Sequence, residues 1–211
     1  MKRLAIGFSV ATVAAMFAPQ DAEACGRFEA FRKPQVNEKL EDVRRSEHLL
    51  AQGKFDKAAK LARKAFPKLT ELPHTAADKA LFDRAQRVAA LASVRSGGAV
   101  NLGRGMKATD DYSKAVNVQW AHHVLMFHAA RATDNMVVRS EYAEALSVVP
   151  GLEAYAYDVL RVMAEDDLMP TARGFALLAQ LQASRGDDVG RDASLQRCKE
   201  IGAEDPICNV A

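Results

Sequence analysis

Beyond residue 36, apolar positions recur every three or four residues, the spacing of one face of an α-helix. Val36, Leu40, Val43 and Leu50 form a first stripe on a helix ending near Gln52. Gly53 stops that helix, because glycine most easily takes the left-handed conformation past a helix end. A second helix follows at once: Phe55, Ala58, Ala62, Ala65, Phe66 and Leu69 line one side, and Lys54, Lys57, Lys60, Lys64 and Lys68 line another. So short a link predicts an antiparallel pair, and alanines on the shared face let the backbones approach closely.

The same rhythm continues. Thr75, with Asp78 three residues on, predicts the start of a helix carrying Ala77, Leu81, Ala85, Val88 and Leu91 and running to Arg95. Gly97, Gly98, Gly103 and Gly105 then make 96–109 a predicted flexible connector. Thr109-Asp110-Asp111 starts a helix over Tyr112–Arg131, with acidic groups at the positive end of its dipole. Val116, Val118, Trp120, Val124, Leu125, Met126 and Phe127 make it apolar on most sides, so it is expected to be the buried centre of the core, broken near Asn117. Leu152, Tyr155, Val159, Leu160 and Met163 mark a helix within 151–167. Thr171 caps the next, which carries Phe175, Leu178, Leu181 and Gln182, and the last spans 189–201 with Leu195 and Cys198 facing inward. No stretch alternates apolar and polar residues as a half-buried strand does. The predicted class is all-α.

Gly53-Lys54-Phe55-Asp56-Lys57-Ala58, followed by Ala62, Ala65 and Phe66, resembles the turn and second helix of a tetratricopeptide repeat, a helix pair of about 34 residues. Tyr142-Ala143-Glu144-Ala145-Leu146 with Pro150 resembles the end of another. Counting from these signals gives units at 39–72 and 119–152, and a degraded third at 172–205, irregularly spaced. The first-helix Trp and Gly-Tyr signals are missing, with Asp42 and Ser46 where two of them would fall. Thr133 and Val138 stand where Gly and Ala are usual. The resemblance implies antiparallel hairpins stacked over 36–205 as a short right-handed α-solenoid, a tetratricopeptide-like superhelix. It also implies a concave groove that binds a protein or peptide, with Arg44, Arg45 and His48 of the first helix as partner-binding residues.

The first 24 residues read differently. Met1-Lys2-Arg3 is basic, Leu4–Phe17 is apolar apart from Ser9 and Thr12, and Ala22-Glu23-Ala24 places small residues before Cys25. This is the layout of a secretory signal peptide cleaved between Ala24 and Cys25, and the apolar run is shorter than the roughly 20 residues that span a bilayer. Export to the periplasm or cell envelope follows. Ala24 also suits the signal for lipid attachment to Cys25, but Ala22 and Glu23 do not; cleavage alone and lipidation of Cys25 are both carried forward. Residues 25–35 are an extended lead-in and 206–211 a C-terminal tail.

Net charge is +2, with 12 Lys/Arg against 6 Asp/Glu over 25–70 and 7 against 14 over 132–211. So strong an acidic counterweight argues against a nucleic-acid binder. The opposed ends also give a structural alternative: salt-sensitive self-association of an envelope protein anchored through Cys25.

Candidate chemistry changes the picture little. In an exported chain Cys198 and Cys208 are disulfide material, since Gly202 and Pro206 let the chain turn back between them. Cys25 lies at the far end of a solenoid. His122, His123 and His128 are one, five and six residues apart, not the four usual for a metal-binding pair on a helix, and no carboxylate stands between Val116 and Arg131. Glu165-Asp166-Asp167 and Asp187-Asp188 lack the alternating ligands of a calcium loop. Gly103-Arg104-Gly105 follows no strand and lacks the residues of a phosphate loop. With no nucleophile motif either, the expectation is a binding protein without cofactor or catalytic residues; an enzyme whose site assembles from distant residues is the remaining alternative.

Overall fold

A computed structural model describes residues 37–69, 76–103, 105–202 and 206–209. Among these are eight α-helices and no strand: α1 (Glu38–Ala51), α2 (Phe55–Ala65), α3 (Ala76–Arg95), α4 (Asp111–Arg131), α5 (Met136–Ser147), α6 (Glu153–Glu165), α7 (Ala172–Ala183) and α8 (Asp188–Ile201). A 3-10 turn, Pro206–Asn209, follows. Helix starts are set by side chains that accept the first orphan amides: Asn37 from Leu40, Asn135 from Val138, Thr171 from Gly174 and Asp187 from Gly190. Asp110 and Ser113 form a reciprocal capping box on α4. Thr75 lies outside the described residues.

Each helix packs on the next, giving an all-α solenoid of helix hairpins. One further pattern sorts them into two layers. The odd helices also touch in series, α1 with α3, α3 with α5 and α5 with α7, whereas among the described residues no two even helices meet. Four hairpins result, α1/α2, α3/α4, α5/α6 and α7/α8, with the odd member of each on the side where the stack closes. The expected unit at 119–152 departs from this register, because Gln119 lies midway along α4. Nor is α4 broken near Asn117; the helix runs through it.

Forked ion pairs fasten the odd layer. Arg84 on α3 grips Glu47 on α1 through two nitrogens (2.8 and 2.7 Å), and Arg95 on α3 grips Glu144 on α5 in the same way (2.8 Å each). Arg87 pairs with Glu141 at 2.6 Å, and Arg173 on α7 stands 3.9 Å from Glu144. Bidentate guanidinium–carboxylate pairs fix geometry as well as charge. Where α7 passes α5, a Cβ on Gly174 would sit 2.9 Å from Ser140 Oγ and collide with Met169 Sδ. A larger residue there would have to displace the Met169 and Ser140 side chains.

Helix α3, not α4, is the centre of the core. It buries Phe82, Ala85, Val88, Ala89, Ala90, Leu91, Ala92 and Val94 and touches α1, α2, α4 and α5. Helix α4 buries one stripe, Asn117, Ala121, Val124, Leu125 and His128, while Met126 and Phe127 are 42% and 46% exposed. The two polar members of the stripe are held. Asn117 Nδ2 donates to the carbonyls of Gly98 and Val100 at 2.9 and 3.0 Å, and His128 Nε2 lies 3.2 Å from Gln86 Oε1. A second core cluster joins α5 to α8 and includes the Cys198–Cys208 disulfide, whose Cα atoms are 5.6 Å apart. Closing that short loop stabilises the fold by about 2–3 kcal/mol on the chain-entropy account.

Candidate binding grooves between the outer helices

Because the even helices stand apart, each neighbouring pair leaves a groove floored by the odd helix between them. Three grooves follow in series, and their contents differ.

The first, between α2 and α4, is filled by the chain itself. The connector expected to be flexible is packed there instead. Val100 and Leu102 are buried in the same cluster as α2 and α3, while Asn101 between them is exposed. On the α4 side Asn117 takes the carbonyls of Gly98 and Val100; on the α2 side Arg63 Nη1 donates to the Asn101 carbonyl and Oδ1, both at 2.9 Å. Gly98 is pressed against α4: a Cβ there would overlap the Lys114 carbonyl oxygen and lie 2.7 Å from its carbon. With φ +81, it is a glycine for conformation as well as for space.

The second groove lies between α4 and α6 and is open, with a volume of about 440 Å³. Met126, Ala129 and Ala130 of α4 form one wall and Val159 of α6 the other. Arg139 and Tyr142 of α5 make the floor, and Thr133 closes one end. One helical turn before Met126, the His122 ring stacks on Tyr142 with centroids 5.7 Å apart. Both His122 ring nitrogens are buried without a hydrogen-bond partner among the described residues, and burial, then the neighbouring His123, holds its pKa below the ordinary imidazole value. Burial likewise raises the Tyr142 phenol. Arg139 is the one charge in the lining. It is half-buried and makes no ion pair or side-chain hydrogen bond among the described residues.

The third groove, between α6 and α8 over α7, holds about 350 Å³ and mixes Phe175 and Leu178 with charged side chains. Its cations are engaged: Arg161 with Glu165 (2.7 Å) and Arg197 with Asp167 and Glu200 (2.6 and 2.9 Å). On the odd-helix side, a cavity of about 200 Å³ is lined by Arg95, Glu144 and Arg173, with the carboxylate held 2.8 Å from Arg95 and 3.9 Å from Arg173. Of the three grooves, the α4–α6 one combines apolar walls with a charge that has no counter-ion among the described residues. Arg139, half-buried there, leaves the lining with one cation that no described carboxylate pairs.

The residues expected to meet a partner lie elsewhere. Arg44, Arg45 and His48 are all exposed on α1, which does not touch α4, α5 or α6. At 100° per residue, Arg44, His48 and Arg45 fall within about 100° of one another on the exposed face of α1, with His48 2.7 Å from Gln52. Ala22, Ala24 and Cys25 lie outside the described residues. His122 is half-buried, His123 exposed and His128 buried, and among the described residues no three His, Cys, Asp or Glu side chains are grouped to hold a metal ion. No described helix is long and apolar enough to cross a membrane.

The groove was hidden in the sequence by its own composition. Asn117 and Met126 are nine residues apart, half a turn around α4, so the helix carries one apolar flank for the core and another for the groove. An all-round apolar helix signals burial or two separate apolar surfaces, and periodicity cannot choose between them. Nothing outside the chain points to a site: no protein-family model, curated protein or solved structure matches it.

Proposed function

We propose that this is an exported helical-repeat protein that serves as a protein- or peptide-binding scaffold in the cell envelope. The observation that carries the reading is the stack of hairpins whose outer helices stand apart, with one of the resulting grooves lined by apolar side chains. Well-formed apolar clefts with few polar groups are where ligands bind, and stacked helix hairpins present such surfaces along their length. The tetratricopeptide-like pattern at 53–66 agrees with this role, and the signal-peptide layout of residues 1–24 supports export. The reading assigns no reaction.

Crosslinking and mass spectrometry in the native host test it. The expected result is a reproducible partner crosslinked to the helical domain, together with a mature chain beginning at Cys25, whose mass also tells a free from a lipidated N-terminus. An uncleaved chain retained in the cytoplasm overturns export. Failure to recover a partner at physiological expression, with the chain intact and folded, overturns the scaffold reading.

A further inference from the structure

We infer that the α4–α6 groove docks an extended peptide segment of a partner, presenting two apolar side chains two residues apart and a carboxylate to Arg139. This rests on the scaffold reading and gives it a place and a ligand class. The molecule supplies the precedent. The groove between α2 and α4 has the same construction, two outer helices that do not touch above an inner one, and its occupant is visible. That occupant is a non-helical strip, 98–103, in which Val100 and Leu102 are buried while Asn101 between them faces outward, the alternation expected of an extended chain. Side chains two apart on an extended chain share a face, which is how a strip with apolar alternate residues fills a narrow apolar trough. Its backbone carbonyls, which cannot be buried unpaired, are received by Asn117 and Arg63.

The α4–α6 groove repeats these provisions with a different sign at one point. Met126, Ala129, Ala130 and Val159 supply apolar walls, and Arg139 supplies the donor. Arg63 in the first groove is occupied by an asparagine carbonyl and amide oxygen, whereas Arg139 has no acceptor among the described residues. A full positive charge half-buried beside Tyr142 selects an acidic side chain or a C-terminal carboxylate in the incoming segment.

The test uses the full mature chain and a phage-displayed library of random 12-residue peptides, panned on the wild type and re-assayed as synthetic peptides on A130W and R139Q. Ala130 is exposed on the groove wall, so tryptophan there fills the trough; glutamine in place of Arg139 removes the charge and keeps a donor. The expected outcome is peptides sharing an apolar-x-apolar core and an acidic residue, which bind R139Q at least about tenfold more weakly, the loss of one charged hydrogen bond, and are excluded from A130W by its filled trough. Peptides binding both variants as tightly as the wild type overturn the groove assignment and leave the scaffold reading standing. No enriched peptide at all removes the peptide-binding reading itself. Enriched peptides with helical i, i+4 apolar spacing overturn the extended mode. Dimerisation in sedimentation that A130W abolishes gives the groove to a second copy instead. A photo-crosslinker at position 130 that captures residues 25–36 of its own chain gives it to the lead-in; either result overturns the proposal. Should A130W lose its cooperative melt, R139Q carries the comparison, since Arg139 has no side-chain partner among the described residues to lose.

Discussion

Gly97 and Gly98 offer a controlled test of whether the connector is a packed part of the solenoid. Both have positive φ, +60 and +81, so alanine at either pays the left-handed penalty of roughly 1–2 kcal/mol. Only their surroundings differ. A Cβ on Gly97 meets nothing within 4 Å, whereas one on Gly98 is driven into the Lys114 backbone in the first turns of α4, which cannot swing aside as a side chain can. To relieve the overlap the strip must lift away from α4. That breaks the bonds from Asn117 Nδ2 to the Gly98 and Val100 carbonyls and leaves a fully buried amide short of partners, a loss of about 1–3 kcal/mol. Partial exposure of Val100 and Leu102 adds to it. G97A should therefore cost about 1–2 kcal/mol and G98A about 3–5. Urea unfolding of the two variants, with ΔG taken from midpoints at a common slope, reads the difference. Because the clash acts through Asn117, G98A and N117A should be less than additive in a double-mutant cycle. Equal costs for G97A and G98A, or strict additivity with N117A, would refute the packing argument and with it the precedent for an extended occupant.

Three further outcomes follow from burial. E144A removes the carboxylate onto which Arg95 forks, with side chains only 7% and 14% exposed, and should cost about 3–4 kcal/mol; E47A, in a pair exposed to 39% on both sides, should cost less than about 1 in the same urea assay. Equal losses would show that the odd layer is not fastened through Glu144. Replacing Cys198 and Cys208 by alanine opens a loop spanning a sequence separation of 10 and should lower stability by about 2.7 kcal/mol, with hydrogen exchange rising first in α8; protection unchanged in α8 would sink this account. His122 and His128 are both held below the ordinary imidazole value, chiefly by burial, with Asp83 opposing and Arg87, Arg131 and Lys79 reinforcing the effect at His128. The unfolded chain then takes up protons first, so stability is full above an unfolded value of about 6.5 and is lost as pH falls below it toward the lowered folded values. Glu141, raised by burial, acts in the opposite sense. The test is therefore a comparison of urea midpoints at pH 7.5 and 5.5 between wild type and H122F/H128Q, and an unchanged decline in the variant would exclude the histidines as its source.

How much of this was legible in the sequence depends on how many surfaces a helix has to satisfy. Helices α1 and α2 each bury one face against neighbours and expose the other, so a single stripe reports them. Helix α4 serves two apolar surfaces, and its period is lost; an assignment to the core is right for Leu125 and wrong for Met126. The connector misleads for a related reason. Four glycines signal a chain free to move, but φ > 0 at Gly97, Gly98, Gly103 and Gly105 is what lets the backbone turn into the trough. Glycine content alone does not separate freedom from a close fit.

Local patterns thus determined the class, the caps at Asp110 and Thr171, the stop at Gly53 and the pairing of Cys198 with Cys208, because each depends on residues a few positions apart. Tertiary structure alone decided which helices touch beyond their immediate neighbours. Contacts in the odd layer and gaps in the even layer arise from how whole hairpins stack, through pairs such as Arg84–Glu47 and Arg95–Glu144 that are 37 and 49 residues apart. The grooves are the spaces that stacking leaves. No window of sequence contains Met126, Arg139, Tyr142 and Val159 as a set, and only the fold brings them to one trough.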